Sequence, residues 1–398
     1  MPGFSDSIEA FQDAARAARG LDDFGADDYR EALGVLCRSL DTEARLTPVG
    51  REAVRGLIVD ALIARLVLEA GWRRHPEAGE VPIEAPIVIV GLPRSGTTAL
   101  HHLMSRSPGV QSLEHWLMRT PRPRPPRARW GEDPDFREAA DRLESVYARS
   151  PAMRAIHEIE ADLPDECWNL FAQCFAHSGW PANVDVPGYA AWWLECDMEP
   201  AYRRHRRAVQ LIGLGAPPGG PGTTPPRWLF KDSTHLFALD ALLATYPDAR
   251  IVQTHRDPAQ VLPSVCSLCW SSRAPLNETD DRKVFGRATL DLWQRGMDDF
   301  LRVRKQDEAR HPERYLDLPF ARFTADPIAA IREIHERFDL PWNGETEQTM
   351  RRFRAERPPG RHGGHRYGLE EWDLEADEIE ARFAPYLRRF DVAREGAS

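Results

Sequence analysis

No run of apolar residues in this 398-residue chain approaches the ~18 needed to cross a bilayer as a helix. Cysteine is scarce: Cys37, Cys167, Cys174, Cys196, Cys266 and Cys269 are scattered among apolar neighbours, without the spacing of a disulfide scaffold. Cys266 and Cys269 have no second pair near them in sequence to complete a zinc site, so they read as core side chains on one helix face. A basic excess is also lacking. With 52 Lys and Arg against 62 Asp and Glu, the formal net charge is −10, which argues against a general nucleic-acid binder and leaves room for local basic pockets. The first residues, "MPGFSDSIEAFQD", are acidic where a secretory signal is basic and then apolar. The expectation is a cytoplasmic protein with no transmembrane segment.

The first eighty residues carry helical patterning. Ser5 is placed to cap a first helix and Gly20 to stop it, and Val54, Leu57, Ile58, Ala61, Leu62, Leu66 and Ala70 form one apolar stripe. Residues 1–80 are therefore expected to form a helical segment packed on a main domain spanning 81–398, with helical insertions over about 134–212, among them Leu163 to Phe175 and Gly188 to Ile212. Two stretches are rich in chain breakers. Arg119 to Phe136, dense in Pro and Arg, reads as a stiff surface connection, and Ala216 to Pro226 as a solvent loop. His157, Glu158, Glu160 and Asp162 lack the H-E-x-x-H pattern of a metal site. They read instead as an acidic lead-in to a helix that Asp165 opens.

The chemistry begins at "PIVIVGLPRSGTTALHHLM", Pro86 to Met104. Ile87 to Val90 make a short buried strand, followed by a glycine loop and a helix, the architecture of an anion site. Gly91, Gly96 and Thr98 match a Walker A loop, but Thr97 stands where that loop has lysine. Backbone amides and the Ser95, Thr97 and Thr98 hydroxyls can still hold one phosphate, with Arg94 supplying a cation from another point of the loop. Such a site suits a single phosphate bearing a transferable group better than a triphosphate with Mg²⁺. Further on, Trp228 to Phe230 and Arg250 to Thr254 read as parallel strands joined by a helix over Thr234 to Tyr246, with Lys231 and the His255-Arg256 pair at the strand ends. Ligands bind at the carboxyl ends of such strands, so these segments should converge with the glycine loop on one crevice.

On these motifs the chain resembles the PAPS-dependent sulfotransferases, particularly a bacterial branch whose loop reads G-x-P-R-S-G-T-T; PAPS is 3′-phosphoadenosine 5′-phosphosulfate. The resemblance runs from about residue 84 onward. It implies a P-loop-like α/β fold, a short and mainly parallel sheet flanked by helices, helix-rich overall. It also implies that the 5′-phosphosulfate loop is Gly91 to Thr98, and that the donor's 3′-phosphate meets Arg256 and Ser264, eight residues apart. Lys231, preceding "THL", would lie near the donor, and Arg361, His362 and Gly363 would close over the 3′-phosphate and adenine.

The resemblance further implies in-line sulfuryl transfer from PAPS to a hydroxyl of a small-molecule, glycan or lipid acceptor, with no metal. Arg94 and Lys231 would neutralise the leaving phosphate while Thr97 and Thr98 hold its other oxygens. For the proton acceptor two side chains stand open: Glu114, with His115 beside it, and His235 of the "THL" element. Many bacterial relatives have the acid directly after the Trp of this segment; here Leu117 follows Trp116. A P-loop kinase or NTPase and a catalytically silent nucleotide-binding protein are the alternatives.

Overall fold

In the computed structural model, the described residues are 2–149, 159–215, 226–279, 281–358 and 368–395. Ile87–Val90 (β1) is four apolar residues in a row, all of them buried, as a strand covered on both faces should be. It is the middle strand of a five-stranded parallel sheet with β2 (Val110–Ser112), β3 (Arg227–Lys231), β4 (Arg250–His255) and β5 (Tyr315–Pro319), in the order β2-β3-β1-β4-β5. Alternate side chains serve two cores: Val88 and Val90 pack into one helical layer, Ile87 and Ile89 into the other. The chain thus has a P-loop-like α/β fold.

Strands β3 and β4 are not neighbours. β1 lies between them, with Ile89 opposite both Lys231 and Val252. The chain leaves β1 for β2 on one side and β4 for β5 on the other, so the β1/β4 boundary is the point where the connections diverge and a ligand crevice opens. The segment read as one helix from Thr234 to Tyr246 is two pieces, a 3₁₀ turn at Ser233–Phe237 and a helix at Leu239–Thr245. Asp232 opens the 3₁₀ turn by accepting the Thr234 N–H at 2.8 Å, and the break falls at Ala238, whose backbone leaves the helical region (φ −145°, ψ 43°).

Three helices precede the sheet: α1 (Ile8–Arg19), α2 (Arg30–Thr42) and α3 (Pro48–Arg74). Ser5 does not cap α1. It belongs to a 3₁₀ turn in which Asp41 accepts the Phe4 and Ser5 N–H groups at 2.6 and 2.8 Å, and the helix starts at Ile8. Gly20 ends it in the left-handed conformation. The α3 stripe is buried except Leu57, which is exposed. Arg65, fully buried on α3, donates to the carbonyls of Phe24 (2.6 Å) and Gln173 (3.1 Å) and pairs with Asp28. Arg204 pairs with Glu69 of α3 at 2.7 Å, so these helices share one core with the helices of residues 168–213.

Two further expectations change. Leu163 to Phe175 is helical only at Trp168–Phe171 and in a 3₁₀ turn at Ala172–Cys174. The residues before it are not helical because two of their N–H groups bond elsewhere: Asp165 donates to Leu113 O at 3.0 Å and Cys167 to Lys231 O at 3.1 Å. Nor is the Arg/Pro stretch wholly superficial, since Arg124 is buried. Residues 216–225 of the second breaker-rich stretch lie outside the described residues.

Candidate active site

The loop Gly91–Gly96 joins β1 to α4 (Thr97–Met104). Gly91 runs so close to β4 that a Cβ there would sit 2.3 Å from Thr254 Oγ1, and Gly96 (φ 86°) turns the chain into the helix from a backbone shape that side chains resist. Ser95 stitches the turn from inside, donating to Leu92 O at 2.5 Å and sharing a hydrogen bond with Thr254 Oγ1 at 2.6 Å. No side chain caps the first turn of α4, so its N–H groups and dipole remain available to an anion.

Arg94 also has a positive φ (65°), a strained state that points to function in a non-glycine residue. Its Nε donates to Ser264 Oγ at 3.1 Å. Ser264 is buried on the helix Pro258–Arg273, which follows β4 and is capped by Asp257 through the Ala259 N–H at 2.9 Å. Arg256, between β4 and that helix, donates from Nη1 to Arg94 O at 2.7 Å and lies 4.1 Å over the Phe320 ring. Arg94, Arg256 and Ser264 are thereby brought together at the β1/β4 crevice. Two further Arg256 N–H groups donate to Glu395, Nε to Oε1 at 3.1 Å and Nη2 to Oε2 at 3.2 Å.

From the other side comes Lys231, at the end of β3 and 1% exposed. Its Nζ donates to Thr98 Oγ1 at 3.0 Å and forms an ion pair with Glu166. The next residue, Asp232, is buried with Oδ2 lacking a hydrogen-bond partner among the described residues. Burial, reinforced by the charge of Glu166, pushes its carboxyl up to about 7.

The two proton-acceptor candidates stand apart from this set. Glu114 is held by Arg124, Nε to Oε2 at 3.0 Å, and burial raises its carboxyl above the ordinary value despite that guanidinium. His115 shares a 2.8 Å hydrogen bond with Asp165. His235 is fully enclosed: Nδ1 meets Tyr202 Oη at 2.6 Å, Nε2 has no partner among the described residues, and burial holds the imidazole well below its usual range. Glu160 and Asp162 pair with Arg357 and Arg127 at 2.7 and 2.9 Å. Arg361, His362 and Gly363, like His157 and Glu158, lie outside the described residues.

Sequence reasoning missed Glu166, Asp232, Arg124, Phe320 and Glu395. Glu166 had a signal, an acid beside Asp165 ahead of a helix, but that pattern is shared by ordinary helix starts. What the arrangement can do follows from its charges. Lys231 with Thr98 at the first turn of α4 forms one cation set and Arg256 with Arg94 and Ser264 a second, an arrangement that suits an anion with two charged ends.

Comparison with known proteins identifies the family. A sequence model of the sulfotransferase family matches residues 86–344, from the strand that opens the loop to beyond β5. No curated protein sequence matches the chain. Among solved structures, sulfotransferase STF1 from Mycobacterium tuberculosis is 35% identical, with 96% of this chain and 100% of that one aligned at a TM-score of 0.85. Sulfotransferase STF9 from Mycobacterium avium is 28% identical over 98% of each chain, with a TM-score of 0.86. The chain belongs to the sulfotransferase family, enzymes that transfer a sulfuryl group.

Proposed function

We propose that the donor is PAPS and that the acceptor is a hydroxyl group on a small molecule, glycan or lipid. The observation that carries this reading is the pairing of two cation sets across the β1/β4 boundary: Lys231 with Thr98 at one end, Arg256 with Arg94 and Ser264 at the other. PAPS supplies one labile S–O bond between its sulfuryl group and a 5′-phosphate, and carries a separate 3′-phosphate. The α4 N–H groups with Thr97 and Thr98 bind the 5′ end. Lys231 and Arg94 neutralise the charge that develops on the leaving phosphate oxygen, without reorganising during the reaction. Arg256 and Ser264 hold the 3′-phosphate, with Phe320 keeping the guanidinium plane in place. Glu114 or His235 takes the acceptor's proton, and the helices Pro134–Arg149, Pro187–Glu195 and Glu199–Gly213 frame the acceptor. This set needs no metal ion, and the cytoplasm is the expected compartment.

Calorimetric titration of the metal-free protein with adenosine 3′,5′-bisphosphate, the desulfated product of PAPS, tests the donor assignment against ADP and ATP with Mg²⁺. Tight binding of the bisphosphate alone, lost in Arg256→Ala, is expected. Preference for ATP with Mg²⁺ would overturn the reading in favour of a variant kinase or NTPase site.

A further inference from the structure

Both cations assigned to the donor's ends already hold a carboxylate. Lys231 is nearly inaccessible and pairs with the partly exposed Glu166. Arg256 receives Glu395 side-on, with both carboxylate oxygens on Nε and Nη2, the forked geometry in which a guanidinium also binds phosphate. Glu395 is steered there by its backbone: its N–H donates to Asp257 Oδ2 at 2.9 Å, and its carbonyl lies 3.5 Å from Gln260 Nε2. Residue 395 is thus laid along the start of the helix that carries Ser264.

We propose that Glu166 and Glu395 are internal stand-ins for the two anionic ends of the donor, and that the donor binds by exchanging with them. The proposal rests on the PAPS reading of the site. A buried ammonium without a counter-charge is strongly unfavourable, and Glu166 supplies that counter-charge to Lys231. Other contacts hold each cation while its carboxylate moves: Thr98 for Lys231, the Arg94 carbonyl and the Phe320 ring for Arg256. Glu166 and Glu395 are positioning residues, because they act through Lys231 and Arg256. The exchange acts end by end: a ligand with one phosphate displaces one carboxylate and leaves the other on its cation, whereas a bisphosphate displaces both.

The test compares three probes, adenosine 3′,5′-bisphosphate, adenosine 5′-monophosphate and adenosine 3′-monophosphate, on the wild type, Glu166→Gln and Glu395→Gln. Weak monophosphates are read by displacement of the bisphosphate. Removing the competing charge should tighten binding by roughly threefold to tenfold, and only for ligands with the matching end. Glu395→Gln should favour the bisphosphate and the 3′-monophosphate and leave the 5′-monophosphate unchanged; Glu166→Gln should favour the bisphosphate and the 5′-monophosphate and leave the 3′-monophosphate unchanged. Bisphosphate binding that neither variant tightens, or tightening that ignores which end carries phosphate, overturns the exchange while leaving the PAPS reading intact. A wild type that binds no bisphosphate overturns both. The Glu395 arm stands by itself, so a Glu166 variant that failed to fold would leave the test in force.

Discussion

Lys231 Nζ donates to Thr98 Oγ1 at 3.0 Å, fastening the end of β3 to the first turn of α4. This contact accounts for the lysine missing from the glycine loop. A Walker A loop carries its cation one residue before the Ser/Thr; here that place is Thr97, and the cation arrives from a different strand to meet the same hydroxyl position.

Lys231→Met should therefore behave as the loss of a charge that acts in the transition state. Turnover, followed as release of adenosine 3′,5′-bisphosphate from PAPS with an acceptor found by screening, should fall by about 10²–10³-fold, with a much smaller change in bisphosphate affinity. Lys231→Arg should not restore it, because a planar guanidinium does not fit a nearly closed site shaped for a compact ammonium.

Much of this site was legible in the sequence because it rests on local rules. Four apolar residues before Gly91 specify β1 and the loop, and the eight-residue interval from Arg256 to Ser264 spans a strand end and two helical turns. What was not legible depends on the tertiary fold. β2 has three residues, Val110–Ser112, too few to show a period, and β5, "YLDLP", is broken by an exposed Asp317 and an exposed Pro319. Glu166 reaches Lys231 because its neighbours Asp165 and Cys167 donate to the carbonyls of Leu113 and Lys231, and Glu395 reaches Arg256 from 139 residues away. Neither distance leaves a trace in local pattern. Arg124 misled in the opposite sense: proline-rich surroundings suggested a surface connection, while the side chain turns inward onto Glu114 and lies 5.3 Å over Trp228.

Gly91→Ala should be costly for a steric reason. The new Cβ would meet Thr254 Oγ1 at 2.3 Å and Thr254 O at 2.8 Å, and backbone and loop hydroxyl cannot both retreat while Ser95 holds Thr254. Destabilisation of roughly 2–3 kcal/mol is expected, visible as an earlier denaturation midpoint. Bisphosphate affinity should fall with it, since β1 and β4 must part at the crevice. Gly56→Ala in the interior of α3, where a Cβ meets nothing, should leave bisphosphate affinity unchanged and raise stability by about 0.5–1 kcal/mol.

The proton acceptor can be assigned by substitution. Either Glu114→Gln or His235→Ala, and not both, should remove most turnover with bisphosphate affinity intact, a loss of about 10²–10⁴-fold. The surroundings differ in a way that matters to the test. Burial raises the Glu114 carboxyl and so strengthens it as a base, whereas burial depresses His235 and weakens it. Full turnover in both variants would exclude both side chains.

Arg65 measures how firmly the N-terminal helices belong to the core. Its guanidinium is fully buried and serves Phe24, Gln173 and Asp28 at once. Arg65→Ala leaves the Phe24, Ala26 and Gln173 carbonyls without this donor, and Asp28 without its cation. A cost of roughly 3–5 kcal/mol is expected, read as a lowered denaturation midpoint in a single transition. Two separated transitions would show that residues 1–80 unfold independently.

Asp232 gives the fold a pH dependence of definite sign. Burial first, and the Glu166 charge second, raise its carboxyl to about 7, whereas in the unfolded chain an aspartate titrates near ~3.9. Below that lower value both states hold the proton and the group costs nothing. As pH rises toward 7 the unfolded chain releases its proton while the folded chain retains it, so stability contributed by this group is lost across that window. Asp232→Asn removes the titration and keeps an oxygen to accept the Thr234 N–H that starts the 3₁₀ turn. Urea denaturation at pH 4.5 and 7.5 should show the variant gaining on the wild type between the two. Taking the difference between the proteins cancels the opposing trend of Asp317, whose carboxyl Arg304 and His255 hold below the ordinary range and whose stabilisation disappears on acidification. An unchanged difference across that interval would mean that Asp232 is ionised in the folded state throughout, and that Lys231 rather than Glu166 governs its charge.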